Sequence, residues 1–357
     1  MTLDGLLERH GGWLETGPDE GPVISSRVRL ARNLYDTTFP GWASKEVRNR
    51  VWNEVVLAFD NVDNNTEFLR WRMDELKPLE RELLFERHLI SAELAERKSG
   101  SGLFVSEDEC RAVMVNEEDH IRLQSLQPGL NLQNALEGAE ALDNDLEKSL
   151  TYAFSSKLGY LTACPSNVGT GMRASVMLHL PGLCLTEEIK PVINAVSKIG
   201  LAVRGMWGEG SEAAGHMFQI SNQITLGKTE LEIISHLDQI VLEVIEHEKN
   251  ARLRLMESQQ IRVHDHIGRA YGILAHAAMM NSNEALDLLS GLRLGTDLGL
   301  MPEITRHDID QLLIQIQPAH LQKAAGATLS PEERDVKRAQ LIRKFLDGGV
   351  IGNDGNG

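Results

Sequence analysis

The chain has 357 residues, of which 42% are hydrophobic and 25% charged, and its formal net charge is −16. That length accommodates two domains with sizeable cores, whereas a charge this negative argues against a protein that binds nucleic acid by neutralising phosphates. No apolar run approaches the roughly 20 residues that cross a bilayer, and the N-terminus has no signal-peptide pattern. The three cysteines lack CxxC spacing, which argues against a disulfide framework or a structural zinc site. We therefore expect a cytoplasmic protein without a membrane or nucleic-acid partner.

An early stretch, VISSRVRLARN at 23–33, alternates charged with apolar residues. Alternate side chains of a strand leave the same face, so the pattern predicts that Arg27 and Arg29 project together. A solvated strand face is the alternative, although exposed strands more often mix charges of both signs. Further along, the apolar spacing of residues 74–98 predicts an amphipathic helix. His88 lies in a charged part of this helix and is expected at its surface.

Acidic residues follow a predicted strand, RAVMV at 111–115. If the chain stays extended through NEEDHIR, then Glu118, His120 and Arg122 share one face. A simple ion pair between Glu118 and Arg122 is the alternative interpretation. The next patterned stretch, residues 131–157, predicts a helix with a polar face.

A glycine-containing turn leads into a second alternating stretch, CPSNVGTGMRASVMLHLP at 164–181. Gly169 and Gly171 allow backbone N–H groups to approach a ligand closely. From Arg173 onward polar and apolar residues alternate strictly, which indicates a half-buried strand. A glycine-rich turn that places an arginine on the polar face of a strand suits an anion site. A β-hairpin with an incidental arginine is the alternative.

A strand, a loop and another strand are predicted at 201–223, with Arg204 at the entrance of the loop. Three glycines within six residues imply that the loop turns tightly or moves. Glu209 and Glu212 lie inside it, and either of them is a candidate to face a ligand.

The last third of the chain is predicted to be helical. SPEE at 330–333 forms a capping box with proline at the first helical position, and the helix that it opens carries RDVKRA at 334–339. Arg334 and Arg338 are four residues apart and therefore lie on one helix face. The alternative is a solvated helix face with an ion pair between Asp335 and Arg338.

Five arginines stand in predicted strands or glycine-rich loops: Arg27, Arg29, Arg122, Arg173 and Arg204. Arginine stays protonated and presents a fork of N–H donors to phosphate oxygens, so the group suits a nucleoside triphosphate. Transfer of a phosphoryl group needs positioning and charge neutralisation more than covalent help. Two carboxylates, Glu118 and Glu209, can hold a planar guanidinium cation bidentately, and a carboxylate beside its nitrogen can accept a proton.

Together these stretches resemble the ATP:guanido phosphotransferases, which include the arginine and creatine kinases. VISSRVRLARN, VNEEDHIR, ACPSNVGTGMRASVMLHLP and VRGMWGEGSEAAG with FQISNQ occur in family order. The resemblance implies an α+β fold, with an antiparallel β-sheet flanked by helices and, in this chain, an all-helical C-terminal domain. It divides the chain into a short N-terminal segment at 1–20, a catalytic domain at 21–251 and a helical domain at 252–357.

The resemblance also implies a role for each site residue. Glu118 and Glu209 would grip the guanidinium, with Cys164 beside it as a catalytic thiolate or as a packing residue, and His88 would lie near the adenine. The residues implied to bind ATP are Ser25, Ser26, Arg27, Val28, Arg29, His88, Arg122, Arg173, Ala174, Ser175, Val176, Met177, Arg204, Gly205, Met206, Trp207, Gly208 and Glu209. Mg²⁺ would accompany ATP, and no protein ligand to a metal is predicted.

Two departures from phosphagen kinases refine the resemblance. Phosphagen kinases carry a helical domain before the first arginine motif, whereas a short segment precedes that motif in this sequence. Phosphagen kinases also end after the catalytic domain, whereas this sequence continues beyond it. Both features match bacterial protein arginine kinases of the McsB type. RDVKRA resembles their phosphoarginine-sensing motif, which implies a second, allosteric site at Arg334, Asp335, Arg338 and Ala339. The implied partners are protein substrates that bear arginine, an activator protein and a Clp ATPase-protease, and the implied assembly is a homodimer or higher oligomer.

The expected function is transfer of the ATP γ-phosphoryl group to arginine side chains of proteins, which would mark them for proteolysis and silence a heat-shock repressor. Two rivals stay open. One is a phosphagen kinase acting on free arginine, against which the short N-terminal segment argues. The other is an inactive phosphoarginine-binding adaptor, against which the presence of both glutamates and all five arginines argues.

Overall fold

The structure is a computed structural model that describes residues 3, 5, 9, 11–19, 21–62, 67–97, 99–205 and 214–348. The strands are β1 (Val23–Arg32), β2 (Phe68–Arg72), β3 (Gly102–Ser106), β4 (Arg111–Val115), β5 (Ile121–Pro128), β6 (Phe154–Ser155), β7 (Gly159–Tyr160), β8 (Met172–His179), β9 (Leu201–Gly205) and β10 (Met217–Asn222). The helices are α1 (Lys45–Asp60), α2 (Pro78–Glu86), α3 (Ala92–Glu96), α4 (Leu132–Glu147), α5 (Pro181–Leu185), α6 (Ile189–Lys198), α7 (Glu230–Ser258), α8 (Gln260–His276), α9 (Ser282–Asp297), α10 (Arg306–Gln315), α11 (Pro318–Ala325) and α12 (Pro331–Leu346). No helix in these ranges is both long and apolar enough to cross a membrane.

One antiparallel sheet organises the molecule. Its eight strands follow the order β2-β3-β4-β5-β1-β8-β10-β9, and each neighbouring pair is antiparallel. The two short strands β6 and β7 pair separately. The predicted antiparallel sheet flanked by helices is therefore confirmed, and β1, which carries the first arginine pair, lies near its centre.

The two faces of the sheet have different environments because β1 and β8 alternate as the sequence predicts. Val28 and Val176 point to one face and are fully buried there. They join a large apolar cluster with Leu136 of α4 and Leu237 of α7. This cluster covers one face of the central strands with helices. The opposite face is left for the polar residues of the same strands.

The C-terminal helices pack against the end of that opposite face. Leu126 of β5 and Met177 of β8 share an apolar cluster with Leu289 of α9 and Leu313 of α10. The predicted helical C-terminal region is thus confirmed. Helix α7 (Glu230–Ser258) continues across the predicted domain boundary between residues 251 and 252. The division into catalytic and helical domains stays a prediction, and the two regions share a core.

The prediction of one continuous amphipathic helix over residues 74–98 is wrong. Helix α2 ends at Glu86 and α3 begins at Ala92, and His88 between them has a φ of +59°. His88 is buried, not exposed as predicted. The neighbouring Leu89 is also fully buried, so the chain turns into the core here instead of continuing along the surface.

Candidate active site

The sheet register places all five predicted arginines on one face of adjacent strands. Arg29 of β1 lies directly opposite Arg173 of β8. Arg122 lies one strand away on β5, where its neighbour on β1 is Ala31. Arg204 of β9 stands opposite Gln219 of β10. Because directly paired residues share a face, the arginines form one polar surface that spans five strands.

This surface forms the floor of a cleft of about 900 Å³. The residues predicted from sequence that line it are Arg27, Arg29, His88, Glu118, Arg122, Cys164, Arg173 and Arg204. The cleft brings the candidate phosphate-binding and guanidinium-binding groups into one volume. That size is typical of a small-molecule or cofactor site.

The arginines perturb one another because they are crowded at low exposure. Burial lowers the pKa of Arg27 to about 10, with further lowering by the charges of Arg122 and Arg173. Burial also lowers the pKa of Arg29 well below its ordinary value, and the three neighbouring arginines add to this effect while Glu117 opposes it. Such a cluster of like charges favours a polyanionic ligand, because the ligand removes the mutual repulsion.

The turn before β5 presents two carboxylates to Arg122. One guanidinium N–H group donates to Oε1 of Glu117 at 2.7 Å, and another donates to Oε2 of Glu118 at 2.9 Å. The Glu117 side chain is fully buried, whereas the Glu118 side chain is 41% exposed. Glu117 therefore orients Arg122, and Glu118 keeps a face open to the cleft. Burial raises the pKa of Glu118, partly offset by Arg122, which suits a group that accepts a proton.

Sequence reasoning missed Glu117, although it directly precedes Glu118. Its Oε1 also accepts a hydrogen bond from Oγ of Ser91 at 2.5 Å, and its Oε2 accepts the backbone N–H of Glu118 at 3.0 Å. The only sequence signal is the adjacent pair of glutamates, and that pair does not show which one is buried. The ion pair between Arg122 and Glu118 that was left open as an alternative is present, as part of this larger arrangement.

The rest of the same turn is structural. His120 is fully buried and does not share the cleft face with Glu118, contrary to the prediction, because the turn reverses the chain before β5 begins at Ile121. The backbone N–H of Leu34 donates to Nδ1 of His120 at 3.1 Å. Nε2 therefore carries the proton and donates to the carbonyl of Thr38 at 3.0 Å. Burial lowers the pKa of His120, so the ring stays neutral.

Cys164 lies at the edge of the cleft, in a segment that is attached to the same turn. Asp119 accepts the backbone N–H of Ala163 at 2.6 Å and the side-chain amide of Asn33 at 2.6 Å. The thiol of Cys164 lies 3.0 Å from the hydroxyl of Ser166. The cleft thus contains a partly exposed thiol as well as the carboxylate of Glu118, and the choice between a catalytic and a packing role stays a prediction.

A narrower recess adjoins the arginines at the side of the C-terminal helices. Its lining residues are Trp13, Ser25, Arg27, His88, Leu126, Ser175, Met177 and Gln219. The rings of Trp13 and His88 meet edge to face with centroids 5.5 Å apart. The recess combines apolar walls with hydroxyl and amide groups, but its free volume of about 10 Å³ is too small for a purine base. Sequence reasoning missed Trp13, because it lies outside the motifs that carry the candidate site residues.

The remaining residues implied to bind ATP fall into two groups. The side chains of Ser26, Val28, Ala174 and Val176 are buried on the side of the sheet away from the cleft, and Ser26 donates to the carbonyl of Gly129. Only their backbone atoms are candidates for ligand contact. Gly205 ends β9. The predictions for Met206, Trp207, Gly208 and Glu209, and the rival Glu212, lie outside the described residues.

The RDVKRA motif lies at the start of α12, and its capping box is confirmed. Arg338 is 1% exposed. Its guanidinium donates to the carbonyls of Ile316 and Met280 at 2.9 and 2.8 Å and to Asp335 at 2.6 Å. The ion pair of the alternative interpretation is therefore present, with the Arg338 side chain buried and the Asp335 side chain 24% exposed. Binding of phosphoarginine by Arg334, Asp335, Arg338 and Ala339 stays a prediction, and it requires Arg338 to exchange these acceptors.

Among the described residues, no group of three or more histidine, cysteine, aspartate or glutamate side chains could hold a metal ion. The arginine-lined floor fits the triphosphate of ATP by its charge, and Glu118 fits the guanidinium of an acceptor. The geometry thus combines a polyanion site and a cation site in one cleft, which is the arrangement that phosphoryl transfer to a guanidinium requires.

Comparisons with known proteins agree with this geometry. Residues 50–251 match the family model of the ATP:guanido phosphotransferase C-terminal catalytic domain, and residues 260–350 match that of the McsB protein-arginine kinase C-terminal domain. Among solved structures, taurocyamine kinase from Schistosoma mansoni is similar with a TM-score of 0.57 and 30% identity, over 66% of this chain and 33% of that duplicated chain. Lombricine kinase is similar with a TM-score of 0.57 and 26% identity, over 70% of each chain.

Curated relatives match over nearly the whole length. A protein-arginine kinase of Halothermothrix orenii is 46% identical over 97% of this chain and 100% of its own length. A protein-arginine kinase of Geobacillus sp. is 48% identical over 94% of this chain and 93% of its own, and one of Bacillus cereus is 47% identical over 97% and 99%. With both regions matched and the arginine cleft in place, the chain belongs to the protein-arginine kinase family of ATP:guanido phosphotransferases.

Proposed function

We propose that this chain transfers the γ-phosphoryl group of ATP to the guanidinium of arginine side chains in proteins. The observation that carries the proposal is the cleft itself, in which five arginines on one sheet face lie in the same volume as the carboxylate of Glu118. The names of the curated relatives support arginine in proteins as the acceptor. In the described conformation this cleft has room for a nucleotide and an acceptor group side by side.

The arginines would bind the phosphates and neutralise the charge that develops during transfer. Arg27, Arg29 and His88 line the same cleft, so the base would lie near His88 and the triphosphate would extend toward Arg122, Arg173 and Arg204. Mg²⁺ would bind the phosphate oxygens of ATP and reduce their negative charge. The γ-phosphorus would then face the side of the cleft that carries Glu118.

Glu118 would orient the target guanidinium and accept its proton. A nitrogen of the guanidinium attacks the γ-phosphorus, an N–P bond forms, and the P–O bond to the leaving ADP breaks. The nitrogen loses a proton, for which the carboxylate of Glu118 is the acceptor. Glu209 would complete the grip on the guanidinium, with Glu212 as the local competitor, and Cys164 would contact the cation from the edge of the cleft.

The test is direct. The purified protein is incubated with Mg²⁺-ATP and a reduced, alkylated protein, and the product is analysed for acid-labile phosphate on arginine by mass spectrometry at neutral pH. Glu118→Ala and Glu209→Ala should each lose transfer while they keep ATP affinity within a few-fold. In a parallel incubation with free arginine, transfer to free arginine but not to the protein would favour a phosphagen kinase, and binding of phosphoarginine without any transfer would favour an adaptor.

The wider biological setting rests on resemblance. We place the protein in the cytoplasm, as a homodimer or higher oligomer that responds to an activator protein. Its phosphorylated products would be delivered to a Clp ATPase-protease, and a heat-shock repressor would be one of its substrates. Phosphoarginine bound at RDVKRA would regulate the kinase.

A further inference from the structure

Trp42 is a large aromatic side chain that stands in solvent within the candidate active site. It is 79% exposed, and it lines the same cleft as Glu117 and Glu118. Isolated exposed apolar side chains are common on protein surfaces, so exposure alone assigns no role. The location of Trp42 in the cleft and the way in which its turn is held provide the further evidence.

The turn that carries Trp42 is fixed to the turn that carries the two carboxylates. His120, two residues after Glu118, donates to the carbonyl of Thr38 at 3.0 Å, and its ring packs against Phe39 with centroids 6.3 Å apart. The backbone N–H of Trp42 then donates to the carbonyl of Phe39 at 3.0 Å. The backbone of Trp42 is therefore held relative to the turn of Glu118 by a short series of contacts through a buried histidine.

The other end of the Trp42 turn is fixed as well. Arg48 of α1 donates to the carbonyl of Ala43 at 2.6 Å and to the carbonyl of Ser99 at 3.0 Å. A rigid aromatic side chain offers a large contact area and loses little conformational entropy when a partner binds. Trp42 is thus prepared for contact with something that enters the cleft beside the carboxylates.

We propose that Trp42 binds the polypeptide segment that flanks the target arginine, and that it favours unfolded segments with an apolar side chain next to that arginine. This inference rests on the proposed function and adds a specificity determinant to it. The guanidinium is drawn to Glu118 by charge, and Trp42 lines the same cleft, so a chain that enters the cleft beside the guanidinium would meet the indole. The indole packs against apolar side chains and backbone there, as buried tryptophans do at protein interfaces.

The experiment compares two synthetic peptides of equal length and charge, one with the arginine between leucines and one with the arginine between serines. The unaltered protein should phosphorylate the leucine peptide with the higher kcat/KM. Trp42→Ala should lower kcat/KM for the leucine peptide about tenfold, which is the effect of losing a modest aromatic anchor. It should leave the KM for ATP within about twofold, and Trp42→Phe should keep most of the preference.

Tyr35 provides a matched control. It is 68% exposed and belongs to the same connection between β1 and α1, but it is not among the residues that line the cleft. Tyr35→Ala should therefore leave the kcat/KM for both peptides unchanged. As a second readout, the leucine peptide should protect the unaltered protein from acrylamide quenching of tryptophan fluorescence more than it protects Trp42→Phe.

The outcomes separate this inference from the proposed function. If the unaltered protein phosphorylates neither peptide, the proposed function fails and the inference fails with it. If the unaltered protein phosphorylates both and Trp42→Ala does so with the same leucine preference, only the role of Trp42 is overturned. An equal loss for both peptides in Trp42→Ala and Tyr35→Ala also overturns it, because such a loss reports the structure of the connection and not contact with the flanking residue.

Discussion

The carboxylate of Glu86, at the end of α2, lies 2.7 Å from Nδ1 of His320 in α11. The same carboxylate accepts the backbone N–H groups of Ala319 and His320 at 2.7 and 3.1 Å. It thereby satisfies donors at the first turn of α11. Two residues beyond Glu86 the chain reaches His88 in the wall of the cleft. The buried carboxylate of Glu86 thus joins the C-terminal helices to the wall of the cleft that contains His88.

Glu86→Ala should destabilise the protein and weaken ATP binding. The substitution leaves three buried donors without their acceptor, which should lower the free energy of unfolding by about 3 kcal/mol. Because the turn at His88 loses its anchor, the KM for ATP should rise more than kcat falls. The measurements are urea unfolding and steady-state kinetics. The control is Glu82→Ala, an exposed position on the same helix, which should change stability by less than about 0.5 kcal/mol. Equal effects of the two substitutions would contradict the assignment.

Buried histidines should make the protein unstable in mild acid. Burial lowers the pKa of His88 to about 3, with a contribution from Arg27, and it also lowers the pKa of His120, His179 and His216. An unfolded histidine takes up a proton near pH 6.5, whereas these folded ones stay neutral. The unfolded state therefore binds more protons below that pH. Stability should therefore fall as the pH is lowered through 6.5. His88, with a folded pKa of about 3, should contribute at most about 1.4 kcal/mol per pH unit to this slope.

The measurement is the free energy of unfolding by urea at several values between pH 6.5 and pH 5. His88→Asn, which keeps a residue tolerant of the positive φ, should reduce the mean slope over this range by about 1 kcal/mol per pH unit. Identical slopes for the two proteins would show that His88 does not titrate as its burial requires.

The sequence predicts the polar face of the sheet well, because strand alternation determines which side chains share a face. Arg27 with Arg29, and Arg173 with Ser175, could be grouped in this way. The pairing of Arg29 with Arg173 across two strands could not be predicted from spacing, since it depends on the register of β1 against β8. Periodicity does not show that arginines from different strands meet at one site. The family resemblance is what implies that they do.

The sequence could not predict which charged residues are buried. Glu117 and Glu118 are identical side chains in adjacent positions, and only the direction of the turn buries one of them beside Ser91. Arg338 appears on a polar helix face in the sequence, yet packing of α12 on the neighbouring helices buries it. In both cases burial is determined by partners that are distant in sequence or by the direction of the backbone, so the local sequence pattern does not reveal it.

Arg29→Met should stabilise the ligand-free protein and abolish its response to ATP. Arg29 lies among other arginines at low exposure, and burial with this repulsion lowers its pKa well below the usual value. Replacing it with an apolar side chain of similar length removes that cost, so the ligand-free free energy of unfolding should rise by about 1 kcal/mol. Thermal unfolding with and without ATP measures both effects. Arg50→Met, on the exposed side of α1, should keep the thermal shift. A destabilised Arg29→Met that still responds to ATP would refute this role.

Cys164→Ser should lower the rate of transfer without abolishing it. The thiol lies beside the hydroxyl of Ser166 at the edge of the cleft, where it can contact the guanidinium but is not needed to accept its proton, a role given to Glu118. We therefore expect a lower kcat with nearly unchanged KM for ATP, measured on a denatured protein substrate. Complete loss of transfer in a protein with an unchanged unfolding midpoint would instead assign Cys164 an essential chemical step.

The last prediction concerns phosphoarginine at RDVKRA. Arg334 is only partly buried, and within the described part of the chain its guanidinium donates a weak hydrogen bond to the carbonyl of Leu329 at 3.5 Å. It can therefore bind a phosphate with little rearrangement, whereas Arg338 must first release the carbonyls of Ile316 and Met280. Arg334→Ala should lose binding of a phosphoarginine peptide, measured by calorimetry, and should change stability little.

Two variants separate this site from the kinase cleft and from general charge effects. Lys337→Ala removes an exposed positive charge from the same helix and should keep the affinity for the peptide. Glu118→Ala alters the acceptor side of the cleft and should also keep most of the binding. Arg338→Ala should lose binding but also lower the unfolding midpoint, because it leaves two buried carbonyls without a donor. If Arg334→Ala binds the peptide like the unaltered protein while Glu118→Ala does not, phosphoarginine binds in the kinase cleft and RDVKRA serves only to pack α12.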